Sequence, residues 1–351
     1  MQKRFVIAAA LAASLTAAAC GSGDSEPTAD SGAPAADGSL TGTTITVYSG
    51  RGEDLIGEVL AEFERETGAT VEVRYGDSAQ MALQIDAEGD QSPADVFISQ
   101  SPGAVGFLDD AGRLSPLGEA TLDRVPAEYR ASDGNWVGIT GRVRVLVYNT
   151  ELVDPADLPA SVLDLTDPSY AGRVGVAPSN GSFQDFVTAM RSELGDEATA
   201  EWLAGMAANN SPNYAKNSAI LDAVARGEVE MGLVNHYYLF AALDEDPTIP
   251  AANHSFEAGD LGSLLIVTAT GVVDTTDQPE AAEALIAFLL SDDAQRMSSD
   301  AEREYPLVPG VAPSEGLPPL ADLVSSTFDL GTLADGLAGT QQLIDDSGIT
   351  Q

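Results

Sequence analysis

Tyr237 and Tyr238 are adjacent phenols that follow an apolar run, Met231-Gly232-Leu233-Val234, and the polar pair Asn235-His236. The stretch from Val229 to Val234 has strand character and Leu239 to Leu243 has helix character, which puts both tyrosines on the first helical turn. Free backbone N–H groups and the positive end of the helix dipole favour negative charge at such a turn, and a phenolate is such a charge. Two phenols there can converge on a hard trivalent cation, which prefers oxygen donors and lowers the phenol pKa below its reference of about 10. Ferric iron suits that donor set best. The alternative is plain packing, with one ring in the core and the other on the surface, the commoner fate of a bare Tyr-Tyr pair.

A second stretch could bind an anion. Pro178-Ser179-Asn180-Gly181-Ser182 lies between a strand over Arg173 to Ala177 and a helix carrying Phe183, Phe186, Val187 and Met190. Hydroxyls and free N–H groups at a helix start can hold an oxyanion, or simply cap the helix. Of the 2 histidines, His236 and His254, the first reads as a satisfied structural group before it reads as a metal ligand. Lys216 is the only lysine beyond Lys3. Hydrolytic chemistry finds no support, because the chain has neither a Gly-x-Ser-x-Gly elbow nor a His-Glu-x-x-His pair.

The elements around these stretches alternate. Thr43 to Tyr48 is a β-branched strand, Leu55, Ile56, Val59, Leu60 and Phe63 make one helical face that stops at Gly68, and Thr70 to Tyr75 is a second strand. Ser78 can cap a helix through Met81, Leu83 and Ile85, and Ala94 to Ser99 is a third strand. This order predicts parallel pairing with right-handed crossovers. Trp136 to Thr140 and Val143 to Tyr148 read as two strands parted by Gly141-Arg142, with a domain crossing there. A strand-rich stretch from Leu261 to Val273 returns to the first domain.

At 351 residues the chain suits two domains, each with its own core. A net charge of −39 argues against nucleic acid as a partner but, being spread along the chain, marks no site. Lys3 and Arg4 precede an apolar run to Ala19, and Ala17-Ala18-Ala19-Cys20 ends it like a lipoprotein processing site, with Cys20, the 1 cysteine, as the lipid-bearing residue. An ordinary Ala-x-Ala cleavage site is the alternative. Residues 1–20 are thus a signal peptide and residues 21–41 a polar, disordered tether. The expected location is extracytoplasmic, on the cell membrane.

Six segments in order resemble one family, the ferric-iron-binding proteins of bacterial ABC importers, which are two-domain solute-binding proteins of the periplasmic type. They are Val47-Tyr48-Ser49-Gly50-Arg51, Ser92-Pro93-Ala94-Asp95-Val96-Phe97, Gly141-Arg142-Val143-Arg144-Val145, Tyr214-Ala215-Lys216-Asn217-Ser218, Asn235-His236-Tyr237-Tyr238 and Glu304-Tyr305-Pro306-Leu307. The resemblance implies an α/β fold of two lobes, each with a mostly parallel sheet, and a hinge between them. Lobe 1 would be residues 42–143 and 268–309, and lobe 2 residues 144–267 and 310–351. It implies a non-enzymatic monomer that carries Fe3+ to a membrane permease, with Tyr237 and Tyr238 as ligands. Where many members place a histidine ligand this chain has Gly52, beside Glu53, and where they place a glutamate it has Gln100. Glu53 and Gln100 are therefore the expected substitutes. Ser179, Asn180, Gly181, Ser182, Asn217 and Asn235 match the pocket for a synergistic anion, phosphate or carbonate. Arg142 and Arg144 are expected to form interdomain salt bridges. The competing reading within binding proteins is capture of an oxyanion or organic phosphonate by the same loop.

Overall fold

The computed structural model describes residues 39–257, 259–323, 328, 330–333 and 336–350, so the signal peptide, Cys20 and nearly all of the tether lie outside the described residues. The first half runs β1 (Thr44–Ser49), α1 (Glu53–Thr67), β2 (Thr70–Tyr75), α2 (Ser78–Glu88), β3 (Val96–Ser99), α3 (Pro102–Asp110), β4 (Leu114–Ser115), α4 (Glu119–Leu122) and the long β5 (Val137–Asn149). Then come β6 (Val174–Gly175), α5 (Gly181–Leu194), α6 (Asp196–Ala208), α7 (Asn217–Ala225), β7 (Met231–Asn235), α8 (Tyr237–Glu245), β8 (Ala251–His254) and β9 (Leu265–Val273). The chain ends with α9 (Pro279–Leu289), α10 (Asp292–Glu302), β10 (Tyr305–Pro306), α11 (Leu320–Leu323) and α12 (Leu337–Ser347). Among the described residues no helix is long and apolar enough to cross a membrane.

Strand order is β2-β1-β3-β9-β5-β7-β6. β2, β1 and β3 pair in parallel, as their intervening helices require, but β9 joins β3 and β5 antiparallel, and β5 pairs β7 antiparallel. The sheet is therefore mixed rather than mostly parallel. The βαβ rule fixes direction only for strands joined by a short crossover, and β5 and β9 arrive over long connections. Ile45, Val47, Val96 and Ile98 are fully buried, because helices cover both faces of this sheet.

The expected break at Gly141-Arg142 is absent, since β5 runs unbroken through it. Gly141 pairs with Val267 and Tyr305, and a Cβ there would come within 2.9 Å of Leu265, so this glycine serves close packing rather than a turn. β5 instead changes partners: its residues up to Val143 pair with β9, and from Arg144 onward it pairs with β7 and β8. One backbone thus passes from one set of strands into the other.

Two smaller readings are corrected. Leu40, placed in the tether, is 5% exposed in the core, and its N–H donates to Thr67 O at 2.8 Å. Asp77, not Ser78, caps α2, accepting from the N–H groups of Ala79 and Gln80. Ser78 Oγ instead accepts the Gln100 N–H at 3.0 Å. The loop after β1 crosses so close to Ser78 that a Cβ on Gly50 would lie 2.0 Å from its Oγ.

Candidate functional site

β7 is fully buried, paired with β5 on one side and β6 on the other, and its last residue, Asn235, lies opposite Arg144. His236 then turns the chain into α8 with helical φ −57 and ψ −37. Its N–H donates to Val143 O at 2.9 Å, and its ring Nδ1 accepts the Val143 N–H at 3.2 Å. Nε2 therefore carries the proton and donates to Arg303 O at 2.7 Å. With both ring nitrogens engaged and the ring against Tyr305, centroids 4.9 Å apart, His236 is a structural residue. Burial pushes its pKa down to about 4, keeping it neutral.

Tyr237 and Tyr238 follow at the N-terminus of α8, half-buried, with ring centroids 4.5 Å apart and planes inclined at 34°. Both line one cleft of about 670 Å³, so neither is spent in the core. Burial raises the Tyr238 pKa, as do the neighbouring Tyr237 and its hydrogen bond, while Arg142 and Asn217 oppose the rise.

The loop opposite is built on Asn180, the N-cap of α5, whose Oδ1 accepts the Ser182 N–H at 3.1 Å. Behind it stand two buried asparagines. Asn217 Nδ2 donates to Asn180 Oδ1 at 3.5 Å, and Asn235 Nδ2 donates to Ser182 Oγ at 3.1 Å and to Tyr237 Oη at 3.4 Å. Arg144 Nη1 donates to Asn235 Oδ1 at 2.9 Å, which turns the amide N–H donors toward the loop and the tyrosine. A Cβ on Gly181 would meet nothing within 4 Å, so the loop faces open space.

Asn180, Gly181, Ser182, Tyr237, Tyr238 and Gln100 line the same cleft, while Asn217 and Asn235 support it from beneath. Ser179 is exposed and lies off the lining. Glu53 also lies off it, exposed on the first turn of α1, where its charge adds to the rise that burial gives the Tyr75 pKa. Gln100 reaches the cleft with its oxygens engaged: Oε1 accepts from Arg51 at 3.2 Å and its backbone carbonyl accepts from Arg142. Lys216 is exposed before α7 and off the lining.

The arginines differ from expectation. Among the described residues neither Arg142 nor Arg144 forms an ion pair; Arg142 donates to the Gln100 carbonyl and to Thr268 Oγ1, and Arg144 to Asn235. Burial pushes the Arg144 pKa down to about 10, and among the described residues its Nη2 is buried without a partner, as is Asn217 Oδ1. The buried ion pairs belong to Arg51, which holds Glu304 at 2.9 Å and also Glu302. The motifs did not single out Asp185 or Ser101, which also line the cleft; the one signal for Asp185 is its spacing, three and four residues beyond Ser182 and Gly181 on a helix.

Two sets of strands joined through β5, with a cleft lined by residues from both, define a two-lobed solute-binding fold. The chain belongs to the family of bacterial extracellular solute-binding proteins, whose description matches residues 91–319. It is 34% identical over 306 residues to the major ferric iron-binding protein of Neisseria meningitidis, an alignment covering 85% of this chain and 91% of that one. Iron-bound HitA from Pseudomonas aeruginosa superposes with a TM-score of 0.82 at 34% identity, over 87% of this chain and 99% of that one. The Trichodesmium protein IdiA (FutA), solved with iron and citrate, gives 0.79 at 27% identity, over 87% and 99% of the two chains. Membership makes this chain a binding protein rather than an enzyme.

Proposed function

We propose that the protein captures Fe3+ between Tyr237 and Tyr238, with phosphate or carbonate seated on the loop over Asn180, Gly181 and Ser182, and delivers the iron to the permease of an ABC importer. The observation that carries this reading is the pair of half-buried phenols on one helical turn, in the same cleft as a loop of hydrogen-bond donors. The names of the Neisseria and Pseudomonas relatives support it. Residues 42–143 with 268–309 and residues 144–267 with 310–351 are the two lobes of this reading, and the change of partners along β5 at Val143 and Arg144 supports a hinge there. Cys20 is the proposed lipid anchor; Cys20→Ser should release the protein from membranes or block its maturation, and unmodified Cys20 in membrane-associated protein, by mass spectrometry, would count against it.

The test of iron capture is a visible spectrum with and without ferric salt. Phenolate ligation gives a charge-transfer colour that requires both tyrosines. Colour and iron retention surviving in both Tyr237→Phe and Tyr238→Phe would remove the assignment. Tight phosphate or phosphonate binding with no colour would favour the oxyanion reading instead.

A further inference from the structure

Two carboxylates line the cleft, Asp77 and Asp185. Asp77 is committed to capping α2, its Oδ1 accepting from Ala79 N–H at 3.0 Å and Gln80 N–H at 3.1 Å. Asp185 caps nothing. It lies one helical turn beyond Gly181 and Ser182 on the same face of α5, and side chains on a helix tilt back toward its N-terminus, here toward the anion loop. Burial raises its pKa to about 6 against the pull of Arg142, of a hydrogen bond with Ser101 and of Arg144. Arg144 is placed where Tyr238, Tyr237 and Asp185 all act on its charge, and Arg142 acts on both Tyr238 and Asp185. The two phenols, this carboxylate and Arg142 line one cleft, with buried Arg144 behind it on Asn235, and among the described residues the Arg144 Nη2 has no partner.

The substitutes expected from sequence leave the donor set short, because Glu53 is off the cleft and the Gln100 oxygens already accept from arginines. We propose that Asp185 is a third protein ligand to Fe3+, supplying from α5 the anionic oxygen that Glu53 and Gln100 do not. The inference rests on the iron reading above. Two phenolates and a carboxylate match a trivalent cation in charge, and all three are the hard oxygen donors it prefers. Arg142 and Arg144 are then left to balance a doubly charged anion on the Ser182 loop. Loading releases the two phenol protons to solvent. Without a cation between them, Asp185 and an anion on that loop would repel each other.

The experiment compares the purified full chain with Asp185→Asn, which keeps the size and the hydrogen bond to Ser101, and with Asp185→Glu. Each is loaded with ferric salt and phosphate, followed in the visible and titrated with a competing chelator. Asp185→Asn should keep the phenolate colour but hold iron more than ~100-fold more weakly, since even groups behind a metal ligand cost about 10–100-fold. Its band should move to longer wavelength, because a metal with one anionic donor fewer accepts phenolate charge more readily. A merely structural role would not move the band. Equal retention with an unmoved band, or tighter retention in Asp185→Asn, overturns the proposal. If Asp185→Asn does not fold, Asp185→Glu decides: a carboxylate displaced by one methylene must shift the band, and an unshifted band overturns the proposal. Absence of colour in the unaltered protein would instead sink the iron reading itself.

Discussion

His236 Nε2 donates to the carbonyl oxygen of Arg303 across 2.7 Å, which ties the first residue before the tyrosine helix to the first residue after α10. Arg303 sits in the left-handed region at φ 58, and its side chain returns to α8 through both oxygens of Asp244, at 2.9 and 3.1 Å. The helix that presents the two phenols is thus held at its start and near its end by one residue.

This tie is pH-sensitive in a predictable direction. Burial lowers the His236 pKa from 6.5 to about 4, so below pH 6.5 the unfolded chain takes up a proton that the folded one refuses. Stability from this group is fully present above pH 6.5 and is lost as pH falls to about 4, by on the order of 3 kcal/mol. His236→Gln, which does not titrate there, should be less stable than the parent at pH 8, and that gap should shrink toward pH 4. Urea unfolding at several pH values measures it; a constant gap contradicts the assignment.

Arg51 is the second test of what holds the cleft. It pairs Glu304 at 2.9 Å and also Glu302; Arg51 and Glu304 are buried and Glu302 partly so, and burial pushes the Glu302 carboxyl up to about 8 against the pull of Arg51. Arg51→Met strands the buried Glu304 carboxylate, while Glu302 is largely protonated near neutral pH, and should cost about 3–5 kcal/mol in unfolding free energy there. The loss should lessen in acid as Glu304 protonates. A loss that grows in acid would show that the Glu304 carboxylate is not the cause.

Much of this arrangement is written locally in the chain. Thr70 to Tyr75 is a strand over the expected residues, and the passage from β7 into α8 follows from an apolar run meeting helix formers within ten residues. What escaped sequence reasoning depends on tertiary partners. Gly141 looks like a break until β9 and β10 flank it, and Gln100 looks like a free ligand until Arg51 and Arg142 occupy its oxygens. A motif position gives a residue type but not the direction of its side chain, which is why Glu53 was anticipated at the cleft and Asp185 was not.

Arg144 separates positioning from stability. Its bond to Asn235 Oδ1 fixes which end of that amide meets Ser182 and Tyr237. Arg144→Met frees the amide and should weaken phosphate binding to the iron-loaded protein by about tenfold or more, as expected for a lost hydrogen bond to a charged group. Folding stability should change little, because relief of the buried cation's desolvation is offset by the donor that the buried Asn235 Oδ1 loses. Calorimetry of phosphate binding and a thermal melt read the two effects; unchanged phosphate affinity would show that Asn235 is oriented without Arg144.

The anion itself is the last prediction. Fe3+ seeks about six donors, and the tyrosine pair with one carboxylate cannot fill them. A phosphate or carbonate on Asn180, Gly181 and Ser182 can occupy the open positions, since Ser182 Oγ and the Asn235 amide already face that space and a Cβ on Gly181 would meet nothing within 4 Å. Iron should therefore be held at least ~10-fold more weakly in anion-free buffer, about 1.4 kcal/mol. Ser182→Asp should give the same loss at saturating phosphate, because its carboxylate stands where the anion must sit. Chelator competition with phosphate, carbonate or neither measures both arms. Equal affinity in all three buffers would mean that protein groups alone complete the site.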